Sequence, residues 1–306
     1  MEREQFLMET AAKRYYSLPD AVSEICGEDA RILRRDPVSG GDINRAYMLS
    51  LSDGNKLFMK ENDAEKLDFF TREVEGLQAI RMTGAISVPE VYGYGTESER
   101  AFLLMEYIVP GRRTPDFYEE FGRRLAEMHK ADCSAYTGNR KFGFIADNYI
   151  GAGYQENTPE DSWINFFRDH RLLPQVRRAE RWFAQTERKA MDRLLERLDD
   201  LLTEPEQPAL LHGDLWSGNY ITGTDGKAWL IDPAVYVGHP EADIAMTELF
   251  GGFPVTFYEG YYAEMGKDPG YADRRELYNL YHLLNHLNLF GDSYLGAVLR
   301  VVQIYS

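Results

Sequence analysis

The sequence predicts an α+β protein with two lobes: a small β-rich lobe over residues 1–108 and a larger helical lobe over residues 109–306. Three observations lead to this class. The length of 306 residues exceeds the roughly 100–200 residues of a usual single domain. Short segments rich in β-forming residues are concentrated in the first third of the chain. Apolar residues at helical spacing dominate the remainder.

The first lobe is predicted to contain an N-terminal helix, a five-stranded sheet and one further helix. Residues 1–30 have helical apolar spacing and few breakers. Asp53-Gly54 separates two of the strands, and this dipeptide is a strong hairpin signal. A second helical pattern covers Asp63–Met82 and is closed by Gly84 and Pro89. The predicted strands are ILRRDPV, NRAYMLSL, KLFMK, PEVYGYG and AFLLMEYIV.

The second lobe is predicted to be mostly helical, because Pro110-Gly111 stops the last of these strands. A strand–loop–strand arrangement interrupts the helices at LLHGDLWSGNYI and KAWLIDPA, and helices then continue to the end. Amphipathic spacing predicts helices at FYEEFGRRLAEMHK, WINFFRDHRLLPQV and ERKAMDRLLERLDDLL.

The composition excludes several classes of protein. A formal net charge of −16 argues against a nucleic-acid partner, because phosphate backbones need basic surfaces. The negative charge is compatible with a bound nucleotide, because one lysine and a few backbone amides can hold its phosphates. No run approaches the roughly 18 apolar residues of a membrane span. Two cysteines and an N-terminus without an apolar signal-peptide core lead us to expect a cytoplasmic protein.

The segment LLHGDLWSGNY, residues 210–220, contains the first chemical motif. Its His-x-Asp-Leu-x-x-x-Asn spacing matches the catalytic loop of protein kinases, with Gly213 where an arginine usually stands. In that loop the aspartate, here Asp214, meets the hydroxyl that is phosphorylated, and the asparagine, here Asn219, holds a magnesium ion on the nucleotide. The alternative is a polar turn between two buried strands.

A second carboxylate follows at the end of the apolar segment AWLID. Asp232 lies thirteen positions after Asn219, where kinases place a further magnesium-binding aspartate. Pro233-Ala234 follows in place of the usual Phe-Gly. An aspartate that begins a turn before proline is the alternative interpretation.

Lys60 ends the strand KLFMK, where a kinase lysine would reach the α- and β-phosphates. Such a lysine needs a glutamate on the following helix, and Glu65, Glu73 and Glu75 are available. At about 100° per residue, Glu73 falls inside the apolar arc and Glu75 roughly opposite. An acid on a buried face needs a partner, so we predict that Glu73 pairs with Lys60.

The turn PVSGGDINRAY supplies backbone amides for phosphates at Ser39, Gly40 and Gly41, since glycines let the backbone approach closely. Other paired glycines lack the context of a dinucleotide fold. His282 and His286 lie one helical turn apart but have no evident third ligand, so helix packing is favoured over a zinc site. His129 is expected to interact with the carboxyl end of its helix.

With these parts in place, the chain resembles the fructosamine kinase, or ketosamine-3-kinase, family, within the group that includes aminoglycoside and choline phosphotransferases. The resemblance extends from about Arg34 to Tyr305. It is carried by LLHGDLWSGNY, DPAVYVGHPEADIAMTELFGGF and SYLGAVLRVVQIY, and also by PVSGGDINRAY, KLFMKEN and GFIADNYIGAGYQEN.

The resemblance implies a protein-kinase-like fold and ATP- and Mg²⁺-dependent phosphorylation of the sugar 3-hydroxyl of a ketosamine, free or protein-bound. It implies that Asp214 is catalytic, that Asn219 and Asp232 bind magnesium, and that Lys60 and Glu73 hold the nucleotide. Backbone at Glu106 and Ile108 would meet the adenine, Trp216 would face the substrate or pack, and Asp243 would support the catalytic loop.

Two alternatives remain open at this stage. The first is a phosphotransferase for another hydroxyl, of the aminoglycoside or choline type, because the nucleotide-binding parts do not distinguish acceptors. The second is a non-catalytic pseudokinase that only binds ligands, although the expected polar residues are all present. The oligomeric state is left open.

Overall fold

A computed structural model of the chain describes residues 12–38 and 43–306. No helix within these ranges is both long and apolar enough to cross a bilayer. The strands are β1 Arg14–Tyr15, β2 Ile32–Pro37, β3 Arg45–Leu51, β4 Lys56–Asp63, β5 Val91–Glu97, β6 Arg100–Glu106, β7 Asn148–Ile150, β8 Gly153–Gln155, β9 Ala209–Leu211, β10 Tyr220–Thr222, β11 Ala228–Leu230 and β12 Tyr236–Gly238. The α-helices are α1 Leu18–Cys26, α2 Leu67–Met82, α3 Phe117–Lys130, α4 Trp163–Phe166, α5 Leu173–Ala179, α6 Gln185–Glu196, α7 Leu198–Leu201, α8 Glu241–Leu249, α9 Val255–Met265, α10 Tyr271–Phe290 and α11 Leu295–Tyr305.

Contacts group the chain into two compact units. The first contains the described residues up to Phe117 together with Gly218–Pro233, and the second contains Tyr118–Ser217 and Ala234–Ser306. The segment 218–233, which the sequence analysis assigned to the second lobe, therefore packs with the first unit. The domain boundary after residue 108 stays a prediction.

The first unit is built on a mixed sheet in the order β1-β5-β6-β4-β3-β2. The Asp53-Gly54 hairpin joins β3 to β4, and Gly54 has the positive φ of 88° that the turn requires. Alternation along β4 buries Leu57 and Met59 in an apolar cluster with residues of α1. Lys60 has the opposite parity and so lies on the other face of the sheet.

The edge strand β1 was not predicted, so the sheet has six strands and the prediction of five is wrong. Residues 1–30 were predicted to be helical, but within the described part only Leu18–Cys26 is α-helix. A two-residue strand has no periodicity to read, and β1 exists because it pairs with β5 far along the chain. Gly95 permits the close approach, since a Cβ there would lie 1.9 Å from the Tyr15 carbonyl oxygen.

The hairpin β10–β11 belongs to the first unit by direct contacts. Tyr220 pairs with Leu230 across it. The Leu230 N–H donates to the Ser87 carbonyl at 2.8 Å, and the Gly111 N–H donates to the Thr222 carbonyl at 2.8 Å. These bonds hold the hairpin against the segment that leads into β5 and the segment that follows β6.

The second unit is mainly helical and has a core of aromatic and aliphatic side chains around Trp163, Tyr236 and Tyr278. β9 pairs with β12, and α10 is buried along most of its length. The predicted helix WINFFRDHRLLPQV is interrupted by a π-helical segment at Phe167–Leu172. Pro174 has no N–H to donate to the preceding turn, which favours such an irregularity.

Candidate active site

Lys60 is the centre of a charged cluster in the first unit. The Lys60 ammonium donates to Glu73 Oε1 at 2.5 Å, and it also contacts Asp232 Oδ1. The Lys60 and Glu73 side chains are only 9% and 12% exposed, whereas that of Asp232 is 39% exposed. The contact predicted between Lys60 and Glu73 is therefore present, and it is shared with Asp232.

Burial and charge oppose each other in this cluster. Burial alone would lower the pKa of Lys60, but the carboxylates of Asp232 and Glu73 outweigh it and raise the pKa above its ordinary value. Burial raises the pKa of Glu73, and the Lys60 ammonium counteracts this rise. Lys60 is therefore a cation at neutral pH, held between the carboxylates of Glu73 and Asp232.

Asp232 and Asn219 lie at the same end of the β10–β11 hairpin. The Ile231 N–H donates to the Asn219 carbonyl at 3.0 Å, which places Asn219 opposite the residue before Asp232. Asn219 is 5% exposed. Asp232 has a φ of +55°, a backbone conformation that only one other described non-glycine residue, Ser98, shares. Such conformations cost about 1–3 kcal/mol and are concentrated at functional sites.

The helical geometry that selected Glu73 was only partly right. Glu75 was expected on the face opposite the apolar arc, yet it is 6% exposed and so is the more buried of the two acids. It pairs with Arg72, whose Nη1 lies 2.9 Å from Glu75 Oε2. More of α2 is buried than its apolar spacing predicts, because the rest of the unit packs against it and the spacing of apolar residues does not reveal those contacts.

In the second unit, the loop after β9 is held through its backbone. The N–H groups of His212 and Gly213 donate to the two carboxylate oxygens of Asp243, at 2.7 and 2.9 Å. Gly213 has a φ of +81°, and a Cβ there would lie 2.0 Å from the Ala234 carbonyl oxygen. No side chain fits at this position, which explains why glycine replaces the arginine of the protein-kinase motif. The support that the resemblance implied for Asp243 is thus present as two hydrogen bonds.

His129 belongs to this arrangement, which the sequence analysis missed. Asp243 is ionised and accepts, so the His129 Nε2 carries the proton of the 3.2 Å bond, and Nδ1 accepts from the Tyr261 hydroxyl at 2.8 Å. Burial alone raises the pKa of Asp243, but the hydrogen bonds from His129 and from the Gly213 N–H bring the pKa below its usual value. A histidine at a helix end offers no local signal of a partner 114 residues away.

The remaining predicted residues lie as follows. Asp214 is half-buried, and its N–H donates to His212 Nδ1 at 3.3 Å. Trp216 is 39% exposed. Glu106 ends β6 with its N–H bonded to the Glu90 carbonyl at 2.8 Å, and Ile108 is buried. Ser39, Gly40 and Gly41 lie outside the described residues.

The histidine pair of α10 packs as predicted. His282 is buried, and the His286 ring lies 5.0 Å from those of Phe250 and Tyr294. Within the described ranges, three or more His, Cys, Asp or Glu side chains do not gather in any group suited to a metal ion.

Comparison with known proteins identifies the relatives of this chain. A family model described as fructosamine kinase matches residues 16–305. A Synechocystis protein assigned as a ketoamine kinase is 41% identical over 281 residues, which cover 92% of each chain. A chloroplastic protein-ribulosamine 3-kinase of Oryza sativa subsp. indica is 38% identical over 282 residues, covering 91% of this chain and 80% of the rice protein.

A solved structure shares the architecture. The crystal structure of a Haemophilus somnus protein assigned as a fructosamine-3-kinase superposes with a TM-score of 0.84 at 28% identity. The match covers 95% of this chain and 97% of the other. The predicted two-lobed, kinase-like α+β class is confirmed by this likeness.

Proposed function

This chain belongs to the fructosamine kinase family, and from that premise we propose that it phosphorylates the sugar 3-hydroxyl of ketosamines. Membership makes it an ATP-dependent kinase. The ketosamine acceptor and the position of the hydroxyl are the proposed finer points, in keeping with the name of the rice relative. Phosphorylation at this position would destabilise the adduct and release the amine, so the enzyme would reverse glycation.

The contact of Lys60 with both Glu73 and Asp232 is the observation that carries the proposal. A lysine held by a helix glutamate and lying beside a metal-binding aspartate is the arrangement with which kinases grip the phosphates of a nucleotide. A buried lysine between two acids would also be stable in a protein without kinase activity, because the charges neutralise one another. The positive φ of Asp232, however, is a local cost that electrostatics alone does not require.

Asp214 is the residue we propose to receive or orient the proton of the acceptor hydroxyl. Its backbone neighbours are held by Asp243, so the loop enters the reaction without reorganising. In phosphoryl transfer, positioning and neutralisation of charge supply most of the rate acceleration. Lys60 would contribute positive charge at the phosphates, and Glu73 would keep its ammonium in place.

Asn219 and Asp232 fit a magnesium ion. An amide oxygen and a carboxylate are hard oxygen donors, and Mg²⁺ in nucleotide sites takes one or two protein ligands with phosphates and waters completing its shell. Their positions at one end of the β10–β11 hairpin suit a shared ion. Bound there, magnesium would neutralise phosphate charge.

We propose three further contacts. Backbone groups at Glu106 and Ile108 would meet the adenine, amides of Ser39, Gly40 and Gly41 would meet phosphates, and exposed Trp216 would face the acceptor. The cytoplasm, which supplies ATP, is the proposed location.

The test is magnesium-dependent ADP release with a panel of ribulosamines, fructosamines, aminoglycosides and choline, with ³¹P NMR to locate the phosphate. We expect turnover of ketosamines with phosphate on the 3-oxygen. Asp214→Ala should lower kcat about 10³-fold, the usual scale for a positioned acid–base group, while ATP binding measured by calorimetry is retained. Asp200→Ala, an exposed aspartate of α7, is the matched control.

Three outcomes would contradict the proposal. Turnover of an aminoglycoside or choline without ketosamine activity would move the enzyme to another acceptor class. ATP binding without product under every acceptor would indicate a binding module. Near-normal turnover by Asp214→Ala would remove that residue from catalysis.

A further inference from the structure

A cavity of the second unit is lined by none of the residues proposed above for the reaction. It has a volume of about 360 Å³ and lies between the β7–β8 turn, α5 and α10. Its lining combines apolar surface, from Ala152, Leu289 and the ring of Tyr154, with amide and guanidinium groups. The polar side chains that line it are Gln175 and Arg178 of α5, Arg181 of the 3-10 turn that follows α5, and Asn285 and Asn288 of α10.

The floor of this cavity is a fixed set of amides. Gln175 and Asn285 are 2% and 3% exposed. Gln175 Nε2 donates to Asn285 Oδ1 at 3.2 Å, and Asn288 Nδ2 donates to Gln175 Oε1 at 2.8 Å. Gly153 closes the floor, since a Cβ there would lie 2.7 Å from Asn285 Oδ1. Buried amides that bond one another keep their orientation, so the floor is organised before any ligand arrives.

The rim carries positive charge without a counterion. Among the described residues, Arg178 and Arg181 form no ion pair, and Arg181 only covers the ring of Trp182 at 5.1 Å. This is unusual in a chain of net charge −16. Tyr154, on the β7–β8 wall, is neutral and donates to the Asp147 carboxylate, which raises the pKa of Tyr154 to about 12. The positive charge is confined to the wall formed by Arg178 and Arg181, and arginine forks suit carboxylate and phosphate groups.

The cavity is connected to the loop that carries Asp214. Tyr281, one helical turn before Asn285 on α10, donates to Gln155 Oε1 at 2.6 Å. Gln155 in turn donates to the Ala234 carbonyl at 3.1 Å, and that carbonyl lies against Gly213. Burial raises the pKa of Tyr281 to about 12, and the charges of Asp214 and Arg178 both act on this hydroxyl, in opposite directions.

From these observations we infer that the cavity binds an anionic group of the acceptor, and that Arg178 and Arg181 select for it. The inference rests on the proposed function, because the acceptor is taken to be a ketosamine. The anion has two possible sources: the carboxylate of an adduct formed on a free amino acid, or a phosphate at the far end of the sugar. Both would place charge away from the hydroxyl that reacts.

Three ribulosamine acceptors distinguish these sources: the adduct of glycinamide, which lacks the anion, the adduct of glycine, and the 5-phosphorylated adduct of glycinamide. We expect one of the anionic acceptors to have a KM about tenfold below that of the neutral one, as a charge-assisted contact would give. Arg178→Gln and Arg181→Gln should abolish this advantage with kcat little changed. Arg177→Gln changes an exposed arginine of the same helix that does not line the cavity, and it should preserve the advantage.

Equal KM values for all three acceptors in the wild type would overturn the inference. An anion preference that survives the Arg178→Gln/Arg181→Gln double variant would also overturn it, because the preference would then arise elsewhere. Absence of turnover with these ribulosamines and with the fructosamines would instead contradict the proposed function. Calorimetric titration with the glycine adduct in the absence of ATP gives a readout that does not depend on catalysis.

Discussion

Lys60 shows how one buried side chain acquires its chemistry from its neighbours. A lysine removed from water would ordinarily lose its proton more readily, but two carboxylates reverse this tendency. Glu73 is the more buried of these carboxylates, and Asp232 keeps partial access to solvent. Glu73 is therefore suited to hold the lysine, and Asp232 is suited to exchange partners.

Replacing Glu73 with glutamine should raise the KM for ATP about tenfold and lower kcat, because the ammonium loses one of the two charges that position it. Hydrogen bonds to charged groups contribute roughly 1.5–3 kcal/mol, and about 1.4 kcal/mol corresponds to a factor of ten. Steady-state kinetics with varied ATP measures the effect.

Glu75→Gln is the matched control for this experiment. It removes another poorly exposed acid of α2, whose partner is Arg72, and it should reduce stability without changing the KM for ATP. Equal KM values in wild type and Glu73→Gln would show that the contact with Lys60 has no part in nucleotide binding.

At the scale of elements, the loop between β9 and β10 depends on backbone geometry. The N–H groups of His212 and Gly213 donate to Asp243, and Gly213 lies against the carbonyl oxygen of Ala234, shortly before β12. Asp243 is held in turn by His129 of α3, and the other ring nitrogen of His129 bonds the Tyr261 hydroxyl of α9. Helices α3, α8 and α9, together with the β9–β12 pair, thus fix the position of the backbone that leads into Asp214.

Gly213→Ala should lower kcat about 100-fold, the scale of an ångström-sized displacement of a catalytic group. The added Cβ cannot coexist with the Ala234 oxygen at 2.0 Å, so the loop must move. Gly138→Ala is the control: Gly138 has a similar positive φ of 63°, but a Cβ there would meet nothing within 4 Å. It should cost about 1 kcal/mol in stability and leave kcat unchanged. A Gly213→Ala enzyme as active as Gly138→Ala would mean that the loop position is not critical.

For the whole molecule, buried histidines predict a loss of stability in acid. Burial lowers the pKa of both His239 and His282 to about 3, whereas the unfolded value is about 6.5. Between these values the unfolded chain binds protons that the folded chain does not. The free energy of unfolding therefore falls as the pH falls from about 6.5, by about 1.4 kcal/mol per pH unit for each such histidine.

His282→Gln should make the free energy of unfolding less dependent on pH, by the contribution of one proton, about 1.4 kcal/mol per pH unit. Urea unfolding at several pH values between about 4.5 and 7 measures this change. Tyr278→Phe, on the same helix, is the control, because it alters a buried side chain that does not titrate in this range. It should displace the stability curve without changing its slope. An unchanged slope in His282→Gln would mean that His282 is not neutral in the folded protein.

The sequence by itself determined the polar motif from His212 to Asn219, the carboxylate at Asp232, the β-rich first third with its helical remainder, and the family resemblance. These are local properties, since spacing and periodicity report only on residues near one another in the chain. The choice of Glu73 also followed from periodicity, although the same reasoning misplaced Glu75.

Only the tertiary structure decided that Lys60 and Asp232, 172 residues apart, share one contact, that His129 supports Asp243, and that β1 completes the sheet. The same holds for the cavity beside Arg178, whose walls come from three separate segments. The physical reason is that these contacts form between elements whose meeting depends on how apolar faces are buried together. No short pattern of residues records which distant partner that burial will bring into reach.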